Sequence, residues 1–365
     1  MAFTCVKEKF ERAVSIAERF SGKNVTLPVL ANILLEFQEN KLIVTATNLE
    51  YAVQIIVPGK GGDIWKTSIP AKILSSVIQS IREEKLELEG KEGNLFIRTD
   101  KNNIRINGIN SEDFPPLPKV KKEKTFFLET STLLVGLENV LPAVSVSEFK
   151  PELAGVFFKI DVHTLYLVAT DTFRLAEQKI TLENDTNEHF SFILPQKTAQ
   201  ELSRVLGTNQ ETLEISFGEG QIMCGLPDIK IISRLIEGNF PEYAAIVPIK
   251  YDTSCFIERD EFLAAVRSSS IFASKVQDVT LSFHSGFLEI MSINPEIGEN
   301  KVKIPLNFSG TESKVSFNYR YLLDGLGVLS EEKIFLGIND ENRPSLLKNK
   351  EDGMFMYVLM PIRFT

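Results

Sequence analysis

His163, His189 and His284 are the side chains best suited to move protons or bind a metal near neutral pH. None has a cysteine, histidine or carboxylate at ligand spacing, so no metal site is expected. Cys5, Cys224 and Cys255 are odd in number and far apart, form no metal or redox motif, and fit a reducing cytoplasm. The chain has no nucleophile elbow, no Walker loop and no dinucleotide fingerprint. GKGGD at Gly59 reads as a hairpin turn, and Glu83-Glu84 as solvated surface. No catalytic residue and no cofactor are therefore expected, and the chain reads as non-enzymatic. What recurs instead is a cation. Lys72, Lys197 and Arg320 each stand two residues after Pro70, Pro195 and Asn318, where a helix-period stretch begins. A helix N-terminus favours anions, so a cation there points to a partner outside the helix; the plainer alternative is a solvated surface charge.

These cations belong to a unit of about 123 residues, the size of a small domain. Each unit opens on an apolar residue and a helix-period stretch: FTCVKEKFERAV at Phe3, FLETSTLLVGLENV at Phe127 and FIERDEFLAAV at Phe256. Phe10, Leu134 and Leu263, seven residues on, are matched as one buried helix face. A strand-like run follows: LANILLEF, LAGVFFKI and VTLSF. Then comes a strand ending in a polar turn at Asn48, Asp171 and Asn294, spaced 123 residues apart twice. A second helix follows: IPAKILSSVIQSI, LPQKTAQELSRVL and FNYRYLLDGLGVL. Proline-bearing linkers fall at Ser111–Thr125 and after Phe240, with Phe114-Pro115 and Phe240-Pro241 equivalent. The expectation is an α+β fold of three domains, 1–120, 121–249 and 250–365. Each holds two helices and antiparallel strands, with hairpins such as LELEGKEGNLFIRT.

The composition is that of an ordinary globular chain, with 43% hydrophobic and 24% charged residues. The N-terminus has no apolar signal-peptide region, and no apolar run approaches the ~20 residues that span a bilayer. A cytoplasmic protein without membrane contact is expected. The net charge of −9 argues against tight general binding to nucleic acid. It leaves open a protein that holds DNA by topology, because a closed ring needs only a weakly attractive bore.

VATDTFRLA, from Val168, resembles the V-A-T-D-G-H-R-L-A signature of bacterial DNA sliding clamps. The resemblance continues in TLPVLANILL from Thr26, in FPEY at Phe240 and in the terminal MPIRF, which is similar to the family's M-P-M-R-L ending. It covers the whole chain in order. It implies three clamp domains and a head-to-tail dimeric ring, with helices lining the bore and strands on the outside. It also implies a processivity factor that encircles duplex DNA. Such a ring tethers the replicative polymerase, the clamp loader and repair proteins through short peptide motifs. The alternative is a non-replicative clamp paralogue acting as a scaffold.

The same resemblance assigns residues. Lys72, Lys197 and Arg320 would face DNA phosphate, with Gln196 and Arg204 on the same helix as Lys197. Lys23 and Asn24 match the family's first DNA-touching loop, where arginine is common in place of Asn24; Ser147 and Lys150 match a second. Ile104 and Ile106 of the first domain's last strand would meet Ile271 and Phe272 of a second chain. The partner pocket would draw on Leu153, Thr170, Thr172, Phe173, Arg174 and Leu175. Pro241, Ile246, Asn318 and Tyr321 join it, as do Val358, Met360, Pro361, Ile362 and Arg363. Leu175, Ile246, Val358 and Met360 are expected as its floor and Phe173 as a movable wall. Three departures stand out: Thr172 replaces the family's glycine, Phe173 its histidine, and Ala245 a common arginine. They make the pocket bulkier at one wall and its rim less basic.

Overall fold

A computed structural model describes residues 2–22, 27–38, 40–147, 149–182, 189–207, 211–350 and 353–363. Each repeat contributes two helices: α1 (Lys7–Phe20) and α2 (Ala71–Ser80), α3 (Thr130–Val140) and α4 (Gln196–Leu206), α5 (Arg259–Ser270) and α6 (Tyr319–Val328). In α1 the buried side chains are Phe10, Ala13, Val14, Ile16, Ala17 and Phe20, a helical stripe facing one core. Burying rings such as Phe10 and Phe20 contributes about 1.5–3 kcal/mol each.

The first helix of every repeat starts in the same way. The N–H of Lys7, Thr130 and Arg259 donates to the carbonyl of Glu84, Glu211 and Glu332. This fixes the true register between repeats and corrects the opening match by one residue. Phe3 corresponds to buried Phe126 and Cys255, while Phe127 and Phe256 point outward. Phe10 likewise corresponds to Leu133 and Phe262, all three fully buried, and not to Leu134 and Leu263. Side chains alternate along a strand, so a one-residue slip exchanges the core face for the outer one.

Sheet pairing gathers the chain into two compact units, residues 1–131 with 204–235 and residues 132–203 with 236–365. The first unit is built on a 12-stranded antiparallel sheet and the second on sheets of nine and four strands. GKGGD does not turn a hairpin: the strand before it, Tyr51–Lys60, and the strand after it, Trp65–Pro70, do not pair, since Trp65–Pro70 pairs with Asn32–Gln38. The expected hairpin at Glu92-Gly93 is present. Both residues have positive φ, 52° and 77°, as a two-residue turn between right-twisted strands requires.

Two junctions share one design. In the first unit Tyr51–Lys60 pairs with Ile229–Arg234, setting Tyr51 opposite Ser233. In the second unit Arg174–Thr181 pairs with Phe355–Leu359, setting Arg174 opposite Leu359. Each joins the fourth strand of one repeat to the last strand of the next. Among the described residues, two strands lack this partner: Asn103–Ile106, the last strand of repeat one, and Gly298–Pro305, the fourth strand of repeat three. Both end their sheets.

A second device recurs three times. The N–H of Ile109, Ile236 and Ile362 donates to the carbonyl of Ser68, Ile193 and Ser316, at 3.0, 2.9 and 2.8 Å. The C-terminal segment is therefore pinned by the same bond that pins the two linkers.

Candidate functional site

The turn at Thr170–Arg174 is built by short polar side chains. Asp171 Oδ1 accepts from the N–H of Phe173 at 2.9 Å and of Arg174 at 3.0 Å. Thr170 Oγ1 donates to the Arg174 carbonyl at 2.7 Å and accepts from the Thr172 N–H at 3.2 Å. Thr47 and Asn48 make the same bonds to Leu49, Glu50 and Tyr51. Asn294 Oδ1 accepts from Glu296 N–H in the third repeat. The geometry forces Leu49 and Thr172 to φ of 79° and 78°. For a β-branched residue that conformation is strained.

Thr172→Gly should therefore stabilise the second unit. Relief of about 1–2 kcal/mol, offset by roughly 0.5–1 kcal/mol of glycine backbone entropy, leaves a net gain centred on about 0.75 kcal/mol and a rise of roughly 1.5–3 °C in melting temperature. Scanning calorimetry checks it; a lowered melting temperature would show that the threonine side chain contributes more than its strain costs.

The turn holds Phe173 outward, 58% exposed, while its carbonyl accepts from the Met360 N–H at 2.8 Å. Arg174 turns inward. Its Nε donates to Asp171 Oδ2 at 3.0 Å, its guanidinium pairs with Asp324 and reaches the Tyr357 hydroxyl, and it lies 4.3 Å over the Tyr321 ring. Burial opposes its charge, but Tyr357, Asp324 and Asp171 outweigh burial and hold the guanidinium protonated. Burial in turn pushes the Tyr357 and Tyr321 phenols up, so both stay neutral. Arg174 thus props Tyr321 from within its own unit.

A groove of about 530 Å³ opens here, lined by Thr172, Phe173, Val276, Asn318, Tyr321, Met360, Pro361, Ile362 and Arg363. Phe173 and Tyr321 stand near-parallel along one wall, 6.5 Å between ring centroids. Asn318 caps α6 by accepting from the Arg320 N–H at 2.9 Å. The structure brings together eight residues expected for a pocket and adds Val276, an exposed residue on the segment after α5 that no sequence pattern marked. The others lie elsewhere. Leu153, Thr170, Leu175 and Val358 are buried. Leu175 and Val358 are cross-strand partners in a core cluster with Val168 and Leu346, packed beneath Phe240, Tyr243 and Val247. Pro241, Ala245 and Ile246 are exposed outside the groove. Of the expected floor, only Met360 lines this groove, because the Phe240–Val247 segment packs against Leu175 and Val358. The walls are apolar and aromatic with a polar rim, chemistry suited to holding a peptide anchor.

Lys72, Lys197 and Arg320 are each the second residue of their helix, α2, α4 and α6, and each is exposed. Lys197 reaches buried Glu201 at 3.1 Å, and Arg320 Nε donates to the Tyr319 hydroxyl at 3.3 Å. Gln196 opens α4, its N–H donating to the Ala154 carbonyl, and Arg204 is exposed on the same helix. Ser147 and Lys150 are exposed on one loop. Lys23 and Asn24 lie outside the described residues. Among the described residues, no group of His, Cys, Asp and Glu could hold a metal, and no helix is long and apolar enough to cross a membrane. Cys5, Cys224 and Cys255 are buried, which pushes their thiols up to about 12 and keeps them unreactive.

Three family models match in succession: DNA polymerase III beta subunit, N-terminal domain, over residues 1–118; central domain, over 128–242; and C-terminal domain, over 244–363. The chain is 28% identical over 375 residues to the beta sliding clamp of Staphylococcus aureus strain N315, covering 100% of this chain and 99% of that one. Among solved structures, the DNA polymerase sliding clamp of Bacillus subtilis superposes with a TM-score of 0.94 at 26% identity. The Pseudomonas aeruginosa sliding clamp bound to griselimycin gives 0.95 at 25%. Both cover 100% of each chain.

Proposed function

The chain belongs to the DNA polymerase III beta subunit family, the bacterial sliding clamps, and from that premise we propose how its own residues carry out the work of a clamp. It is a processivity clamp of DNA polymerase III, a ring protein of DNA replication; this reading is favoured over a non-replicative scaffold. It works by staying, without a reaction of its own: a polymerase tied to a ring that cannot leave DNA re-engages its primer end before diffusing away.

The observation that carries ring closure is the pair of sheet-end strands that lack a junction partner among the described residues. Both internal junctions join a fourth strand to a following last strand, and one of each is left over. A second copy supplies the missing match head to tail, which also removes two exposed strand edges. Carried over by the repeat spacing, the internal register sets Ile106 of one chain opposite Ile297 of the other. Ile106 is already buried in its own unit, so this strand offers mainly its backbone edge. Ile271, 68% exposed, and Phe272, whose ring lies beside Gly298, supply the apolar cover. Closed this way, the chain forms clamp domains 1–120, 121–249 and 250–365, twice around.

Ile271→Ala with Phe272→Ala tests this. Their burial is worth about 1.5–3 kcal/mol each, and the loss falls on both joints of a dimer. Sedimentation should give a folded monomer of 41.0 kDa where the intact protein gives twice that mass. An unchanged dimer overturns the assignment.

Lys72, Lys197 and Arg320, with Gln196, Arg204, Ser147 and Lys150, are the DNA-facing groups. Lys23 and Asn24 are proposed with them by family position alone. A single cation per helix start gives weak, salt-dependent attraction and lets topology supply retention. The groove at Phe173 and Tyr321 takes the leucine and phenylalanine anchors of partner peptides. The replicative polymerase, the clamp loader and repair proteins are the proposed carriers of such peptides, in the cytoplasm.

A further inference from the structure

On a chain of net charge −9, four lysines gather on one face of the nine-stranded sheet. It is the face turned away from α6: the Tyr357 ring meets α6 at Gly325, and its neighbour Met356 points the other way. Strand registers align the cations with aromatic rings. Lys159, Tyr166 and Lys179 stand opposite one another on Gly155–Asp161, Thr164–Thr170 and Arg174–Thr181. Both ammonium groups lie over the Tyr166 ring, 5.6 and 5.8 Å from its centroid. Further across, Lys348, Phe335 and Phe256 stand opposite one another on Ser345–Asn349, Lys333–Ile338 and Thr253–Glu258. Phe335 and Phe256 meet edge to face at 5.6 Å, with Lys348 5.3 Å over the first and Lys350 5.8 Å over the second. A ring quadrupole attracts an ammonium group at such distances, so the rings hold the cations in place. Between the two lysine pairs lie half-buried Met356 and, opposite it, buried Glu177, whose carboxylate is taken by the Tyr243 hydroxyl at 2.5 Å.

The chain already lays one segment of itself across this face. Phe240 stacks on Phe157 at 4.6 Å, and the Tyr251 ring rests on Gly337, where a Cβ would come within 2.4 Å of it. Phe157 and Gly337 each lie two residues from the aligned cations and rings, so the lysine pairs run beside that segment. The face thus accepts a backbone that crosses its strands. A nucleobase would have to displace a cation to stack on these rings, and evenly charged phosphates would cross the uncharged stretch at Met356. A peptide can concentrate its charge at two points. Four strand spacings separate Tyr166 from Phe335, about 19 Å, which an extended chain covers in about six residues. We propose that this face docks an extended peptide carrying two acidic doublets about six residues apart, one on Lys159 and Lys179 and one on Lys348 and Lys350, with an apolar residue over Met356.

Fluorescence anisotropy with the full chain at low salt tests it. The probe is a labelled peptide of two Glu-Glu doublets joined by about six alternating Thr and Val residues; the control has the same composition with its glutamates contiguous. The spaced peptide should bind more tightly than the control, and salt should weaken it. Lys159→Gln with Lys348→Gln takes one cation from each pair and should weaken the spaced peptide roughly ten-fold, with the sedimenting mass unchanged. Tyr166→Leu keeps every lysine but removes the ring that holds two of them, and should weaken it about three-fold. Equal binding of the two peptides overturns the proposal, because net charge alone would then suffice. So does a double variant that binds the spaced peptide like the parent, or a Tyr166→Leu variant that does. Oligothymidylate bound more tightly than the peptide, and lost in the same double variant, would make the occupant a nucleic acid and overturn it as well.

Discussion

A chain shortened by residues 361–365 should remain a folded dimer and lose its partner peptides. The deletion removes three groove-lining residues at once, Pro361, Ile362 and Arg363. It also removes the Ile362 N–H bond to Ser316, which costs about 0.5–1.5 kcal/mol and leaves the strand Lys314–Asn318 in its sheet with Asp278–His284. The core cluster of Val168, Leu175, Leu346 and Val358 is untouched. A peptide of the Gln-Leu-x-Leu-Phe type, however, would meet a groove that has lost three of its nine lining residues. Loss of an anchor site of this kind costs at least about 2 kcal/mol, roughly 30-fold in affinity. Titration calorimetry with that peptide decides it: equal binding by the intact and shortened chains would place the pocket elsewhere. Where the resembling family signature has histidine this chain has Phe173, which gives the groove apolar surface in place of a group that titrates near neutral pH.

Much of this was legible in the sequence because it depends on local chemistry. Asn48, Asp171 and Asn294 mark turns through their own side-chain hydrogen bonds, so their spacing of 123 residues displays the repeat directly. Lys72, Lys197 and Arg320 were placed correctly at helix starts for the same reason: Pro70, Pro195 and Asn318 announce where each helix begins. What escaped depends on non-local pairing. Phe3 was matched to Phe127 because both are phenylalanines, but the strand face is set by which residue precedes the helix, and the true counterparts are Phe126 and Cys255. Leu175 and Val358 were assigned to the pocket floor by the family resemblance alone, and no local pattern in the sequence tells that both sit in a cluster beneath Phe240, Tyr243 and Val247. Val276 carries no local mark at all, and the strain at Thr172 appears only once φ is known.

The two sheet-end strands, Asn103–Ile106 and Gly298–Pro305, make topology the centre of the account, and topology can be measured by cutting the DNA. The dimer, placed by a clamp loader on a nicked circular plasmid and isolated by gel filtration, should co-elute with the circle even at a salt concentration that strips phosphate contacts. Cleavage of the plasmid at one site should release it, because a ring held only by threading slides off a free end. Continued co-elution with the cut, linear DNA, or failure to remain on the circle at that salt, would contradict the account.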